Sequence, residues 1–482
     1  MRKENLRFNA ELQFETITLE NVSCEMVFPK TQDEKVILEA QLKANEFLPS
    51  EIPFIFSLRA TFSNAQSSLL KISAETVYNL GIKTSYVATN QEYSVLRAEP
   101  VNLKIQEFIQ RSEDQKSPKS FYFWLTQSIQ LAPFYSTELH YNGDISVKTY
   151  NNKEFEIVEG LKFSFINYYF HYNDPKRKNK RISEPALAAE FVGFTEHELG
   201  ENIFSEIEIF LKLVSFSERR RVVCYGYKGI LENEIVDFYR GDISVPEEDF
   251  NHSFNEVLID VQDFEEFTLK SLNAGRNCFF REHLFDAIGK AAYREYSSLE
   301  SEYLSYYSAL ENLINGYRDT HNFHYILGRD DHKKFSNDLK HFIKRHDLFK
   351  DNNEEEELRS KKRKLVYEKI AELNRISFGT AFKSFCEFYQ IDLSDLWSLG
   401  GGEVSTSLTK IRNRLIHGGR FERAEYDAVI CAKTHLKWTL ERCILRVLDW
   451  DIEKSNVRPL FLKHCVGYNE WEQKVSLLNK IS

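Results

Sequence analysis

No run of eighteen apolar residues occurs anywhere in the 482-residue chain, so no segment is long enough to cross a bilayer as a helix. The opening Met1-Arg2-Lys3-Glu4-Asn5 has neither an apolar core nor a small-residue cleavage site, and the sequence predicts a soluble, cytoplasmic protein with no membrane partner. Cysteines number seven, at positions 24, 224, 278, 386, 431, 443 and 465, with no Cys-x-x-Cys pair. An odd count without close pairs excludes a disulfide framework and a Cys/His zinc site, leaving reduced, mostly buried thiols. Positive charge is short as well: the net charge of −10 argues against non-specific coating of nucleic acid, though not against a local basic cleft. Residues 1–255 contain no glycine-rich phosphate loop, no nucleophile elbow and no paired acid/base spacing. No cofactor is expected.

What the chain has is an ordinary globular balance, 42% hydrophobic and 28% charged, divided between two kinds of periodicity. The fold class predicted is α+β: a β-rich half over 1–255, followed by an all-α helical bundle over 256–482. Aromatic residues, 14% of the chain, read as core packing in both. Strands are expected at 36–38, 154–158, 161–166, 207–214 and 221–227, with a turn at Ser217-Glu218-Arg219-Arg220 and a short helix at 106–112. Tyr141-Asn142-Gly143-Asp144 is a hairpin signal, and Asn151-Asn152 a further turn. Lys176-Arg177-Lys178-Asn179-Lys180-Arg181 follows Asn173-Asp174-Pro175, so it reads as an exposed loop, solvated or in contact with a nucleic-acid backbone.

From about Asp260 the period becomes helical. A single helix over 281–315 would align Leu284, Ile288, Ala292, Tyr296, Leu299, Tyr303, Leu310 and Ile314. Glu311 falls inside that stripe, and a buried carboxylate needs a partner. Residues 317–364 read as a helical insertion, with His321, His324, Asp330, Asp331 and His332 on a solvated loop that also has metal-ligating types. Glu355 with Arg359 and Glu357 with Lys361 have the spacing of helix ion pairs. Further helices are expected at 365–376, 380–389 and 425–450, the last running through Val429, Leu436, Leu440, Ile444 and Val447.

Between them lies Ile411-Arg412-Asn413-Arg414-Leu415-Ile416-His417-Gly418-Gly419. An imidazole that titrates near neutrality can give or take a proton, and a guanidinium fork can bind phosphate. Together they supply what attack by a ribose 2′-hydroxyl on its own phosphodiester requires. The spacing alone also fits Arg276 to His283, Arg318 to His324 and Arg458 to His464. The Arg412 copy differs by its Asn413, by the helical spacing of Leu408, Ile411 and Leu415, and by the Gly-Gly stop. On a helix Arg412 and His417 point roughly 140° apart and lie about 7.5 Å apart along the axis. Two copies of the helix about a twofold axis would bring both pairs to one cleft, so a homodimer is expected. Asn413, one turn before His417, has an amide placed to orient the imidazole or contact RNA.

The region from about Arg276 onward resembles the HEPN superfamily, specifically the Apea-like HEPN domain of ApeA-type bacterial anti-phage proteins. The resemblance rests on Ser308-Ala309-Leu310-Glu311-Asn312-Leu313-Ile314, on Asn374-Arg375-Ile376-Ser377-Phe378 leading to Phe388-Tyr389, and on the string from Arg412 to Gly419. It implies a dimeric, metal-independent endoribonuclease leaving a 2′,3′-cyclic phosphate, with Arg412 and His417 in its active site. It also implies that Glu311 faces the Arg/His helix and that the first half senses a trigger such as a phage protein. On this reading His417 is general acid or base, Arg412 stabilises the phosphorane, and Asn413 positions His417 or the phosphate. Arg414 and Arg420 are secondary candidates for contact with the RNA backbone, tRNA or another structured RNA being the expected substrate. Two other readings stay open: a non-catalytic binding or antitoxin-like partner, and a dimerising scaffold.

Overall fold

Period-two alternation builds the amino-terminal half. In the computed structural model the described residues are 5–15, 17–28, 35–43, 53–63, 68–86, 92–109, 119–126, 128–131, 135–139, 145–149, 154–158, 161–174, 177–191, 203–241, 257–292, 298–345, 356–400 and 406–479. Strands β1 (Leu6–Gln13), β2 (Thr18–Val27), β3 (Ile37–Lys43), β4 (Ile55–Ser63), β5 (Leu69–Tyr86) and β6 (Glu92–Pro100) pair antiparallel in the order β1-β2-β3-β6-β5-β4, and β4 returns to β1. This is a closed barrel. Every second residue points inward, among them Phe8, Ala10 and Leu12 of β1, Cys24 and Met26 of β2, and Leu70, Ile72 and Ala74 of β5. Side chains therefore fill the interior, as in small barrels generally. Strand β5 is long enough to serve three neighbours. Where its pairing with β6 shifts, between Asn79 and Gly81, Gly81 takes a φ of +143°, which a glycine adopts without a Cβ penalty.

Strand β7 (Asn102–Phe108) leaves β5 and starts a second antiparallel run. It comprises β8 (Lys119–Leu125), β11 (Glu154–Val158), β12 (Leu161–Asp174), β13 (Arg177–Phe191), β14 (Cys224–Ile230) and β15 (Glu234–Arg240), ordered β7-β15-β14-β8-β13-β12-β11; β9 (Tyr135–Leu139) and β10 (Ile145–Thr149) form a separate hairpin. Helix α1 (Phe204–Glu218) packs on this sheet through Phe210, whose ring is 5.2 Å from that of Phe155.

Four expectations change here. Residues 207–214, expected as a strand, lie within α1, because Ile207, Phe210, Leu211 and Val214 also satisfy helical spacing and a short apolar run does not distinguish the two. The turn expected at 217–220 is the end of that helix, with Arg219 at a φ of 52°. The helix expected at 106–112 is replaced over its first residues by β7, where Leu103 and Ile105 alternate inward; 110–112 lie outside the described residues. The basic string expected as a loop lies, from Arg177 to Arg181, in β13, where Lys180 pairs with Tyr172 and Arg181 with His171; Lys176 lies outside the described residues. Asn142-Gly143 also lie outside them; the strands on either side, β9 and β10, pair antiparallel with Leu139 opposite Ile145. Asn151-Asn152 fall outside as well.

The chain divides into two compact units, Met1–Val257 with Phe264–Leu269, and Leu258–Asp263 with Lys270–Ser482. Its helices after α1 are α2 (Phe264–Asn277), α3 (Arg281–Ala292), α4 (Leu299–Thr320), α5 (Arg329–Arg345), α6 (Glu356–Ile370), α7 (Phe378–Phe388), α8 (Leu408–Ile416), α9 (Tyr426–Val447), α10 (Pro459–Leu462) and α11 (Trp471–Asn479). The single helix expected over 281–315 is two. α3 and α4 lie antiparallel, with His283 of α3 against Asn312 and Gly316 of α4. Residues Leu284, Ile288, Ala292, Tyr303, Leu310 and Ile314 are still buried, because either arrangement turns the same stripe inward. Helix α9 packs against both, burying Val429, Leu436, Leu440, Ile444 and Val447. Among the described residues no helix is long and apolar enough to cross a membrane.

A polar knot stiffens the carboxy-terminal part of the bundle. Arg442, fully buried, holds Asp395 by two bonds of 2.6 and 2.8 Å, and Tyr468 donates to the same carboxylate at 2.6 Å. Beside it His435, also buried, accepts the Trp397 backbone N–H at Nδ1, so its proton sits on Nε2, 3.3 Å from the Gly467 carbonyl. Burial among Trp397, Trp438, Tyr468 and Trp471 pushes the His435 pKa down from 6.5 to about 4.

Candidate functional site

Helix α8 begins at Ser407, whose hydroxyl accepts the Lys410 N–H. Leu408 and Ile411 enter the core, which turns Arg412 along α4. One face of α4 receives it at four-residue intervals. Tyr303 donates its hydroxyl to the Leu408 carbonyl (2.7 Å), Tyr307 pairs with the Thr409 hydroxyl (2.8 Å), and Glu311 accepts Arg412 Nη2 at 3.0 and 3.3 Å. The guanidinium also sits 5.4 Å from the centre of the Tyr307 ring. Burial, aided by the Glu311 charge, raises the Tyr307 pKa, so its phenol stays neutral.

The expected Glu311–Arg412 pair is therefore formed, but in a setting different from the expected one. Glu311 is not buried: its side chain is 33% exposed and that of Arg412 28%. The pair stands at the edge of solvent, where a phosphate can reach the guanidinium. Arg412 Nη1 donates to Asn413 Oδ1 at 3.2 Å. The Asn413 side chain is thus turned to the arginine rather than to the imidazole, and only its backbone carbonyl meets His417, accepting that residue's N–H at 3.0 Å.

His417 occupies the cap position of α8, exposed, and its ring has no hydrogen-bond partner among the described residues. Gly418 follows at a φ of +76°, which ends the helix. Gly419 then folds over Arg414 so closely that a Cβ would meet the Arg414 carbonyl oxygen at 2.9 Å.

Arg414, expected as an RNA contact, is committed elsewhere. It grips Glu425 through two bonds of 2.8 and 3.0 Å, donates to the Arg420 carbonyl at 2.7 Å and lies over the Phe421 ring. Burial tends to raise the Glu425 pKa, but the Arg414 bonds and the Glu422 N–H outweigh it, and the carboxyl stays ionised. Arg414 is the clasp of the loop that follows His417. Arg420 is exposed and lines a cavity of about 340 Å³ together with Glu300, Leu304, Leu415, Phe421 and Tyr426.

The other Arg/His spacings are resolved differently. Arg318 and Arg458 donate to main-chain carbonyls, of Phe323 and Ile376 and of Ser455 respectively. His283 and His324 meet Asn312 and Asp319. His321 bonds the Tyr317 carbonyl, and no group of three metal-ligating side chains converges among the described residues. Sequence reasoning passed over Tyr303 and Tyr307, taking tyrosines for core. Their spacing with Glu311, i, i+4 and i+8, was the available signal. It also passed over Asn312, which bridges His283 and Asp286 beside Glu311 at 2.8 and 2.7 Å.

No family model, no curated protein and no solved structure matches the chain.

Proposed function

We propose that the chain is a metal-independent endoribonuclease of HEPN type, acting in the cytoplasm as a homodimer in anti-phage defence. The observation that carries the proposal is a guanidinium held at the solvent edge by Glu311, Asn413 and the Tyr307 ring, with an imidazole at the end of the same helix that has no hydrogen-bond partner among the described residues. His417 moves the proton of the ribose 2′-hydroxyl or of the 5′-oxygen leaving group, and its mate in the dimer takes the other role. Arg412 stabilises the charge that grows on the phosphorane oxygens. Glu311 and Asn413 are positioning residues that fix the plane of the guanidinium, and Arg420 supplies backbone contact. The substrate is a structured RNA with splayed loop bases, tRNA first, and cleaving it limits phage growth by stopping translation. The β-rich unit senses the phage trigger.

Incubating the purified chain with unfractionated tRNA and EDTA, alone and with lysate of phage-infected cells, tests the reading. Cleavage yielding 2′,3′-cyclic ends is expected, and Arg412→Ala should lower its rate by about 10²–10³, with a comparable loss for His417→Ala. Cleavage that survives in both variants, or that EDTA abolishes, refutes the assignment.

A further inference from the structure

The face of α4 that receives Arg412 runs on toward the start of that helix. Glu300, Leu304, Tyr307 and Glu311 are spaced i, i+4, i+7 and i+11, which places them within about 60° of one another around the axis. Leu304 and Glu300 therefore extend the surface on which the guanidinium lies. They also wall one side of the cavity of about 340 Å³, a volume within the range of about 300–1,000 Å³ usual for small-ligand pockets. The opposite wall includes Leu415 and Gly418 to Arg420, which bracket His417 in the chain.

The lining of that cavity is mostly apolar, with one carboxylate. Leu304, Leu415 and Phe421 supply the apolar walls, and the Phe421 ring is held from one side by the Arg414 guanidinium, 4.3 Å from its centre. The carboxylate is Glu300, to whose Oε1 Tyr426 donates at 3.4 Å, a long bond. Arg420 lines the same cavity, yet among the described residues no ion pair joins it to Glu300. The helix dipole favours an acid in the first turn of α4, and Glu302 lies there as well as Glu300. The two differ in what they meet: Glu302 is closed off by its ion pair with Lys433, whereas Glu300 borders open space.

We infer that this cavity receives the base of a nucleotide adjoining the scissile phosphate, and that Glu300 selects guanine there. An RNA base as occupant rests on the nuclease reading; the choice among bases rests on the lining. A planar base suits apolar and aromatic walls, and single-stranded loops present bases splayed from their stack. A carboxylate repels phosphate and only accepts hydrogen bonds, so the edge it meets must donate. Of the four bases, guanine alone carries two adjacent donors on its Watson–Crick edge, N1–H and the 2-amino group, and the two oxygens of Glu300 match them as a pair. Uracil offers a single N3–H between two carbonyls, and adenine and cytosine each set one amino group beside an acceptor nitrogen. Arg420 keeps its guanidinium for the backbone phosphate of the same nucleotide.

The test titrates the full chain into fluorescently labelled RNA hairpins whose loops are built on 2′-deoxyribose, so that they lack the attacking hydroxyl and cannot be cut. The loops hold uracil bases and one guanine; in companion hairpins that guanine is replaced by hypoxanthine, which lacks the 2-amino group, or by adenine. The guanine loop should bind on the order of tenfold tighter than the hypoxanthine loop, and tighter still than the adenine loop. Glu300→Gln, which turns one acceptor into a donor, should bring the three affinities together. A ratio of affinities within one protein does not respond to a loss of stability, which thermal midpoints report separately. Equal affinities in the wild type, a guanine preference that survives Glu300→Gln, or absence of binding by every loop overturns the inference. Cleavage of the same hairpins built on ribose is scored apart from binding. Guanine-selective binding that depends on Glu300, without cleavage, removes the nuclease reading and keeps the pocket, whereas cleavage with no Glu300-dependent preference does the reverse.

Discussion

Glu311→Gln separates a positioning carboxylate from an ordinary salt bridge, because the two roles predict effects of different size on different observables. The replacement keeps the side chain's shape and one acceptor oxygen but removes its charge. On stability little should happen. Both partners are about one-third exposed, and pairs in that setting contribute roughly 0.2–1 kcal/mol. Arg412 also retains its bond to Asn413 and its place over Tyr307. On cleavage more should happen. The guanidinium stabilises a phosphorane only if its donors already point at the position where charge develops, and a displacement of about 1 Å costs up to 10²-fold. With two of its three anchors left, a loss of about tenfold is expected, equivalent to about 1.4 kcal/mol at the transition state. The assay is cleavage of end-labelled tRNA under single-turnover conditions, with thermal unfolding of the same samples. A tenfold loss of rate with a midpoint near that of the wild type supports a positioning role. A rate within about twofold of wild type, accompanied by a lower midpoint, makes Glu311 structural and refutes the reasoning.

Two further outcomes follow from buried groups. His435 is neutral in the fold, with its pKa at about 4 against 6.5 when unfolded. The unfolded chain therefore binds the proton first, and stability is complete above pH 6.5 and lost as the pH falls toward 4. At pH 5 the loss should be about 2 kcal/mol relative to pH 7.5, read by urea titration of tryptophan fluorescence, and His435→Asn should remove that increment. If the two proteins respond alike to acid, the burial argument fails. Arg414→Ala should destabilise the helical unit by about 2 kcal/mol, since it strands the buried Glu425 carboxylate. Thermal unfolding checks this, and an unchanged midpoint would return Arg414 to the pool of RNA contacts.

The strands that alternate cleanly were legible in the sequence. Glu154–Val158 is a strand with its expected bounds, with Phe155 and Ile157 inward. The apolar run 207–214 was not, because alternation and helical spacing overlap when a short run is buried on most sides, and only the sheet beneath α1 decides. The break between α3 and α4 was hidden for a related reason: a stripe inside a helical hairpin has the same period as one on a straight helix.

At the site, local rules carried far and then stopped. The helix through Ile416 and the glycine exit are consequences of residues within a few positions of one another and were legible without the fold, whereas the equally local Ser407 cap was passed over. The partner expected for Glu311 is present, but the burial from which it was argued is not, since that side chain is 33% exposed. Which carboxylate each arginine flanking Asn413 meets was beyond local rules, since Arg412 and Arg414 are two steps apart on one helix and chemically identical. Tertiary packing separates them. Leu408 and Ile411 bury one side of α8, which leaves Arg412 against Tyr307 and Glu311 of α4 and sends Arg414 to Glu425 at the foot of α9. A guanidinium's task is set by the carboxylate it meets, and both carboxylates come from other elements of the fold.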